Sequence, residues 1–329
     1  MIYLSPGRNN YIDNAKGILI ILMVFGHVFL DDALVDVVEW VYTFHMPAFF
    51  IINGMLFHYS SILNKNYLQV FVKYILTIII PLIFSECVGA LTYIVRYGFT
   101  QSIFGFAYNT LTYHFNNGPD WFLVVLFLAD MLFVALYKMI KGKNVQICIS
   151  FTIMLVAFLL PDTAKWLMIV RSIGISFGFV CIGYYGKHLF YEYGRLGIAL
   201  IAAGITVVVL QQNGSVSLNI ARVNNPFLFL LGAISGTYLT IYVAQKIKLP
   251  ALAYIGKNSL IVMIMHQAIM LPIRYYTHIA EFDLLMGMGV LVITIALQFP
   301  LSYLINRFLP FCVGKPINKT CTIMRRRKA

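Results

Sequence analysis

The sequence predicts an all-α integral membrane protein, a bundle of about ten transmembrane helices with both termini cytoplasmic. Three observations carry this. Of the 329 residues, 60% are hydrophobic and only 11% are charged, against roughly a quarter charged in soluble domains. The mean hydropathy is +0.83. The apolar residues fall into runs near the length of about 20 that a helix needs to cross the hydrocarbon core, too long for the strands of a membrane barrel.

Charged flanks mark ten segments, at 14–31, 40–58, 70–95, 121–139, 144–161, 168–186, 196–212, 226–245, 257–274 and 284–309. The first is short, bounded by Lys16 and Asp31, so either the bilayer thins there or Asp13 and Lys16 are drawn inward. With the N-terminus placed inside, only Arg96, Lys165, Arg222 and Arg274 fall in outer connectors, while the basic tail Arg325-Arg326-Arg327-Lys328 lies inside. The reverse topology would invert that bias against the positive-inside rule. The whole chain, 1–329, reads as one membrane domain with a basic cytoplasmic tail at about 310–329, and the longest connector, about 96–120, is too small for a soluble appended domain. The expected location is the bacterial cytoplasmic membrane. A cleavable signal is not expected, because the first run ends in Gly26-His27 and Asp31-Asp32 without a small-residue cleavage site.

The net charge of +12 does not point to nucleic acid. The basic residues sit in short connectors and never form a strip interleaved with stacking aromatics. Membrane lipid is their expected partner. The five Cys form no CxxC pair, and no H-x-x-x-H or H-E-x-x-H spacing exists, so neither a disulfide framework nor a metal is expected.

Ionisable groups inside spans are costly, and each marks a functional candidate. They are His27, His45, Glu86, Asp130, Arg171 and His266, with Asp13 and Lys16 at a span's mouth. Any one of them taken alone reads equally as an interhelical hydrogen bond. The first span differs because its polar groups align. Asp13 and Lys16 are three apart, and the eleven-residue step from Lys16 to His27 ends about 20° from three full turns. Lys16, Ile20, Met23 and His27 therefore share a line, with roughly 16 Å between its ends.

A cation at the cytoplasmic mouth and an imidazole deep in the membrane suit a long ligand with an anionic head and a reactive tip. Acyl-coenzyme A fits, with Lys16 and Lys73 as the cofactor-binding cations and His27, with Asp13, as the catalytic pair. An imidazole exchanges its proton close to neutral pH, as a general base toward a sugar hydroxyl must. A G-x-S-x-G motif is absent, so direct transfer is simpler than an acyl-serine route, while an acyl-histidine intermediate stays open. The acceptor-side candidates are His45, Asn53, Glu86, Asp120, Trp121, Arg171 and His266. Of these, Asp120-Trp121 pairs a carboxylate with an aromatic suited to a sugar, although tryptophan is also the usual interface anchor. The competing reading is a secondary transporter or flippase, which explains the spans and buried charges but not the Lys16-to-His27 line.

Tyr11-Ile12-Asp13-Asn14-Ala15-Lys16-Gly17 with Val24-Phe25-Gly26-His27, then Phe44-His45-Met46-Pro47-Ala48-Phe49-Phe50 with Asn53-Gly54, resemble the first two signature blocks of the membrane acyltransferase-3 family. Trp121-Phe122-Leu123, Gly183-Tyr184-Tyr185, Asn225-Pro226-Phe227 and Ile255-Gly256-Lys257-Asn258-Ser259, leading to His266, continue the match in order. The FHMP form is most similar to the fucose 4-O-acetylase-like branch. The resemblance implies a ten-helix bundle that moves an acyl group, commonly acetyl, from cytosolic acyl-CoA to a carbohydrate or lipid-linked saccharide. It also implies that His27 is the essential histidine. Some members carry Arg where this chain has Lys16, and an Arg-x-Arg pair where only Lys73 stands here. Lysine is a point charge without the bidentate fork, so the grip on phosphate differs in detail.

Overall fold

The structure is a computed structural model, and it describes residues 10–29, 34–99, 105, 117–161, 163–191, 195–276 and 284–316. The tail motif 325–328, Asp31-Asp32 and most of the 96–120 connector lie outside the described residues.

The described residues are helical throughout, apart from turns and one isolated β-bridge between Ser217 and Arg222. The order is α1 (Asn10–Val28), α2 (Val35–Tyr42), α3 (His45–Leu56), α4 (Tyr67–Tyr74), α5 (Ile80–Tyr97), α6 (Trp121–Met139), α7 (Lys143–Leu159), α8 (Lys165–Tyr185), α9 (Lys187–Tyr191), α10 (Leu196–Asn213), α11 (Pro226–Lys246), α12 (Pro250–Lys257), α13 (Ser259–Tyr276) and α14 (Leu284–Phe308). Among the described residues, eight helical segments are long and apolar enough to span a membrane. They match eight of the ten expected segments, and the other two are the 17-residue α7 and the 18-residue α13. The chain is an all-α integral membrane protein.

Three spans are less regular than their hydropathy suggests. The second breaks at Thr43-Phe44 into α2 and α3, with Pro47 in the first turn of α3, where a missing N–H is tolerated. The third carries a π turn over Ile75–Ile79. Pro81 follows it and cannot donate an ordinary helical bond back to Thr77, so the helix relaxes into the wider turn. The ninth is preceded by a separate short helix, α12, and the joint between α12 and α13 falls at Asn258.

Helix α1 is the hub, and it packs against α3, α11, α12, α13 and α14. Asn14 on α1 donates to the carbonyls of Ala244 (3.3 Å) and Ile247 (2.6 Å), satisfying acceptors that the C-terminus of α11 leaves open. A close seam joins α3 to α8. A Cβ on Gly54 would sit 2.0 Å from the Val180 carbonyl oxygen, and one on Gly183 would sit 1.9 Å from that of Ile51. Only glycine lets two backbones approach so closely, the usual device of packed membrane helices. Helices α7, α10 and α14 lie at the periphery, where exposed Leu, Ile, Val and Phe side chains face outward. In a bilayer those faces meet hydrocarbon, so their exposure carries no penalty.

Candidate active site

A cavity of about 460 Å³ runs beside α1. Lys16, Ile20, Met23 and His27, the four residues that helical spacing puts on one line, all line it. At the Lys16 end the wall is completed by Lys257, Asn258, Thr77 and Lys315. Tyr42 and His45 stand level with His27, while Phe49 and Asn53, further along α3, line the wall back toward the Lys16 end. The far end is lined by Glu39, Trp121 and the loop Ser215–Ile220 with Arg222. The cavity thus has a cationic mouth, a histidine midpoint and a mixed polar-aromatic far mouth.

Two of the histidines have their ring orientation set by backbone. His45 Nδ1 lies 2.9 Å from the Val41 carbonyl oxygen, which makes Nδ1 the donor and leaves Nε2 as the acceptor. The His45 and Tyr42 rings are 4.9 Å apart. His266 Nδ1 lies 2.8 Å and 3.1 Å from the carbonyl oxygens of Met263 and Val262, so it too is the donor. Among the described residues His266 Nε2 is buried without a hydrogen-bond partner, and the ring sits 5.1 Å, centroid to centroid, from that of His27. His266 itself does not line the cavity. His27 stands between the cavity and a buried imidazole whose lone pair is unused.

The remaining sequence candidates divide into wall and support. Asn53 lines the cavity and donates 2.6 Å to Asp130 Oδ1, while Asp130 is fully buried behind it with Tyr74 alongside. Trp121 lines the far mouth, and Asp120 is buried behind it. Ser85 donates 2.6 Å to Asp120 Oδ1, and Asn117 donates 2.7 Å to Ser85 and 3.0 Å to the Ile264 carbonyl. Glu86 borders the same carboxyl. Asp120, Glu86 and Asp130 thus hold walls in place and do not themselves line the cavity.

Asp13 is buried under α12, where the backbone of Gly256 passes against its carbonyl oxygen, and it does not line the cavity either. Arg171 is likewise off the lining. Its neighbour Ser172 donates 2.7 Å to the Leu218 carbonyl and ties α8 to the far-mouth loop. Lys73 lines a separate groove that adjoins the cationic mouth.

Sequence reasoning missed Lys257, Asn258 and Lys315 at the first mouth, and Glu39 and the 215–222 loop at the second. Lys257-Asn258-Ser259 stands in a block that resembles the family, but nothing in its sequence points it into the cavity. Lys315 reaches the mouth because the chain after α14 turns back through the 3₁₀ turn Pro310–Val313 and Gly314, whose φ is +68°. Its ammonium donates to Asn258 Oδ1 at 3.1 Å and to Asn306 Oδ1. Burial holds that ammonium below the usual lysine pKa. Among the described residues no group of three or more His, Cys, Asp or Glu could hold a metal ion.

Comparison with curated proteins and with solved structures returned no match. A family model described as an acyltransferase domain matches residues 9–307, nearly all of the helical bundle and every cavity-lining residue named above except Lys315. The chain is a membrane acyltransferase of the acyltransferase-3 family.

Proposed function

We propose that this protein transfers an acyl group, acetyl in the first instance, from cytosolic acyl-CoA to a hydroxyl of a cell-envelope carbohydrate or lipid-linked saccharide. On this reading both termini are cytoplasmic and the protein sits in the bacterial cytoplasmic membrane. The FHMP block puts it nearest the fucose 4-O-acetylase-like branch. The carrying observation is the single cavity that leads from three lysines, past His27, to an aromatic and polar far mouth.

The chemistry follows from that order. The thioester tip reaches His27 from the lysine side, while the acceptor hydroxyl arrives past Trp121 and His45. His27 takes the hydroxyl proton as its oxygen attacks the thioester carbonyl. The C–S bond then breaks, and the proton passes from His27 to the departing thiolate, giving the ester and free CoA with no net proton change. His266, with its Nδ1–H committed to backbone carbonyls, holds an unused Nε2 lone pair beside the His27 ring, and a small turn of that ring would let its N–H donate there and leave its other nitrogen basic. This is the orienting role of the third member of a catalytic triad. His45 is placed to bind an acceptor hydroxyl, whereas Asn53, fixed by Asp130, lies on the donor's side of His27.

The test is to incubate purified protein with labelled acetyl-CoA and follow CoA release as a glycan fraction is added. Release that depends on the glycan and disappears in a correctly folded His27→Ala variant is expected. Undiminished release in that variant would refute the mechanism. A cavity reaching toward both faces also suits a transporter, and glycan uptake without CoA release would favour that reading.

A further inference from the structure

We propose that the acyl-CoA site is bipartite: the pantetheine arm occupies the cavity, and the 3′-phosphoadenosine diphosphate half lies in the adjoining groove, with Lys315 gripping the diphosphate at the junction. This rests on the acyl-CoA reading above and assigns residues to each part of the donor.

The groove, of about 910 Å³, lies between α4 and the turn that follows α14. It shares Thr77, Gly314 and Lys315 with the cavity, so the two spaces meet at those residues. Its cations are Lys65, Lys73 and Lys315, and no acidic side chain lines it among the described residues. Lys65 and Lys73 are close enough to repel one another. Lys315 is half-buried, and among the described residues its ammonium meets only the neutral amide oxygens of Asn258 and Asn306. A desolvated ammonium held by neutral acceptors, beside two further cations, is a site for a polyanion. Phe311 and Leu68 add an apolar wall that a nucleobase can cover.

The order of groups in CoA matches the order of residues. Moving away from the thioester, the donor presents its pantetheine arm, then the diphosphate, then the ribose with its 3′-phosphate and adenine. Moving out from His27, the protein presents the cavity wall, then Lys315, then Lys73 and Lys65. Gly314 makes the placement of Lys315 possible. Its φ of +68° favours glycine, and a Cβ there would stand 2.7 Å from Thr77 Cα in the π turn.

The experiment measures binding of CoA, dephospho-CoA and 4′-phosphopantetheine to the full-length purified protein. The wild type is expected to lose affinity at each step. Lys73→Ala with Lys65→Ala should lower CoA affinity about tenfold to the level of dephospho-CoA, leaving dephospho-CoA binding unchanged. Lys315→Ala should weaken both nucleotides about tenfold with a smaller effect on 4′-phosphopantetheine, and Lys315→Arg should restore most of the loss. An equal fall for all three ligands in Lys315→Ala, unrescued by Arg, would make Lys315 a structural strut and overturn the assignment. A wild type that prefers CoA while all three lysine variants bind it normally would overturn the bipartite site alone. A wild type that binds no CoA would overturn the donor reading, and this inference with it.

Discussion

His266→Phe tests the core of the mechanism, because it removes a lone pair while keeping a planar buried ring. The stability change should be small. Losing the Nδ1 contacts to the Met263 and Val262 carbonyls costs about 1 kcal/mol. Those carbonyls belong to a helix, and removing the unpartnered Nε2 relieves a buried polar atom in compensation. The catalytic change should be larger. On the proposed mechanism, a hydrogen bond that His27 forms to His266 Nε2 during the reaction, their rings standing 5.1 Å apart between centroids, contributes about 1–3 kcal/mol where water is excluded. Loss of that orientation in the transition state corresponds to a fall in kcat of roughly 5- to 150-fold. Donor KM should hardly move, because His266 does not line the cavity. Since two groups acting as a unit are not additive, His266→Phe added to His27→Ala should cost nothing further. Glycan-dependent CoA release, with thermal unfolding as the check on folding, reads both quantities. Unchanged kcat in a folded His266→Phe protein would refute the orienting role. A raised donor KM at constant kcat would move His266 to binding.

Three further outcomes are expected. Lys16→Ala should raise the KM for acetyl-CoA with little change in kcat, and the effect should shrink at high salt, since a phosphate contact is made equally in ground and transition states. Equal loss of kcat at unchanged donor affinity would place Lys16 at the reacting centre instead. Gly183→Ala should destabilise the bundle by about 3 kcal/mol or more, because its Cβ would meet the Ile51 carbonyl oxygen at 1.9 Å where ordinary contacts begin near 3.4 Å; a thermal midpoint equal to wild type would show that the seam relaxes freely. In oriented vesicles, acetyl-CoA supplied on the cytoplasmic face should acylate an acceptor confined to the opposite face, with CoA recovered where it was added. CoA on the acceptor side would refute the shared-channel mechanism and favour transport.

The line from Lys16 to His27 was legible because helical periodicity is a local property, and four residues of one helix keep their angular order whatever surrounds them. The ionisable residues of the other spans were visible as costly, but not as wall or support. Asp120 and Asp130 are buried in the same way whether they face a ligand or hold Trp121 and Asn53 from behind. Direction is set by tertiary packing that no single span encodes. Lys315 shows the same limit from the other side. In the sequence it belongs to a run of terminal basic residues, and only the turn through Gly314 brings it to the mouth. The breaks at Thr43-Phe44 and Asn258 were hidden because hydropathy averages over them, although Pro47 and the Lys257-Asn258 pair lie at or beside those joints.

The π turn at Ile75–Ile79 makes the third span one helix with two angular phases. A wider turn accommodates an extra residue without ending the helix, and each residue carries about 100° of rotation. Lys73, before it, lines the lysine-bearing groove beside the cavity, while Ser85, after it, hydrogen-bonds Asp120 behind the far mouth. Deleting one residue between 75 and 79 would take up that extra residue and leave a continuous α-helix whose two halves keep their relative phase. The lysine and the serine would then both keep their addresses. The π turn is therefore slack in the register of the third span: loss of one residue there should be tolerated, while loss of one elsewhere in the span would turn one half against the other by about 100°.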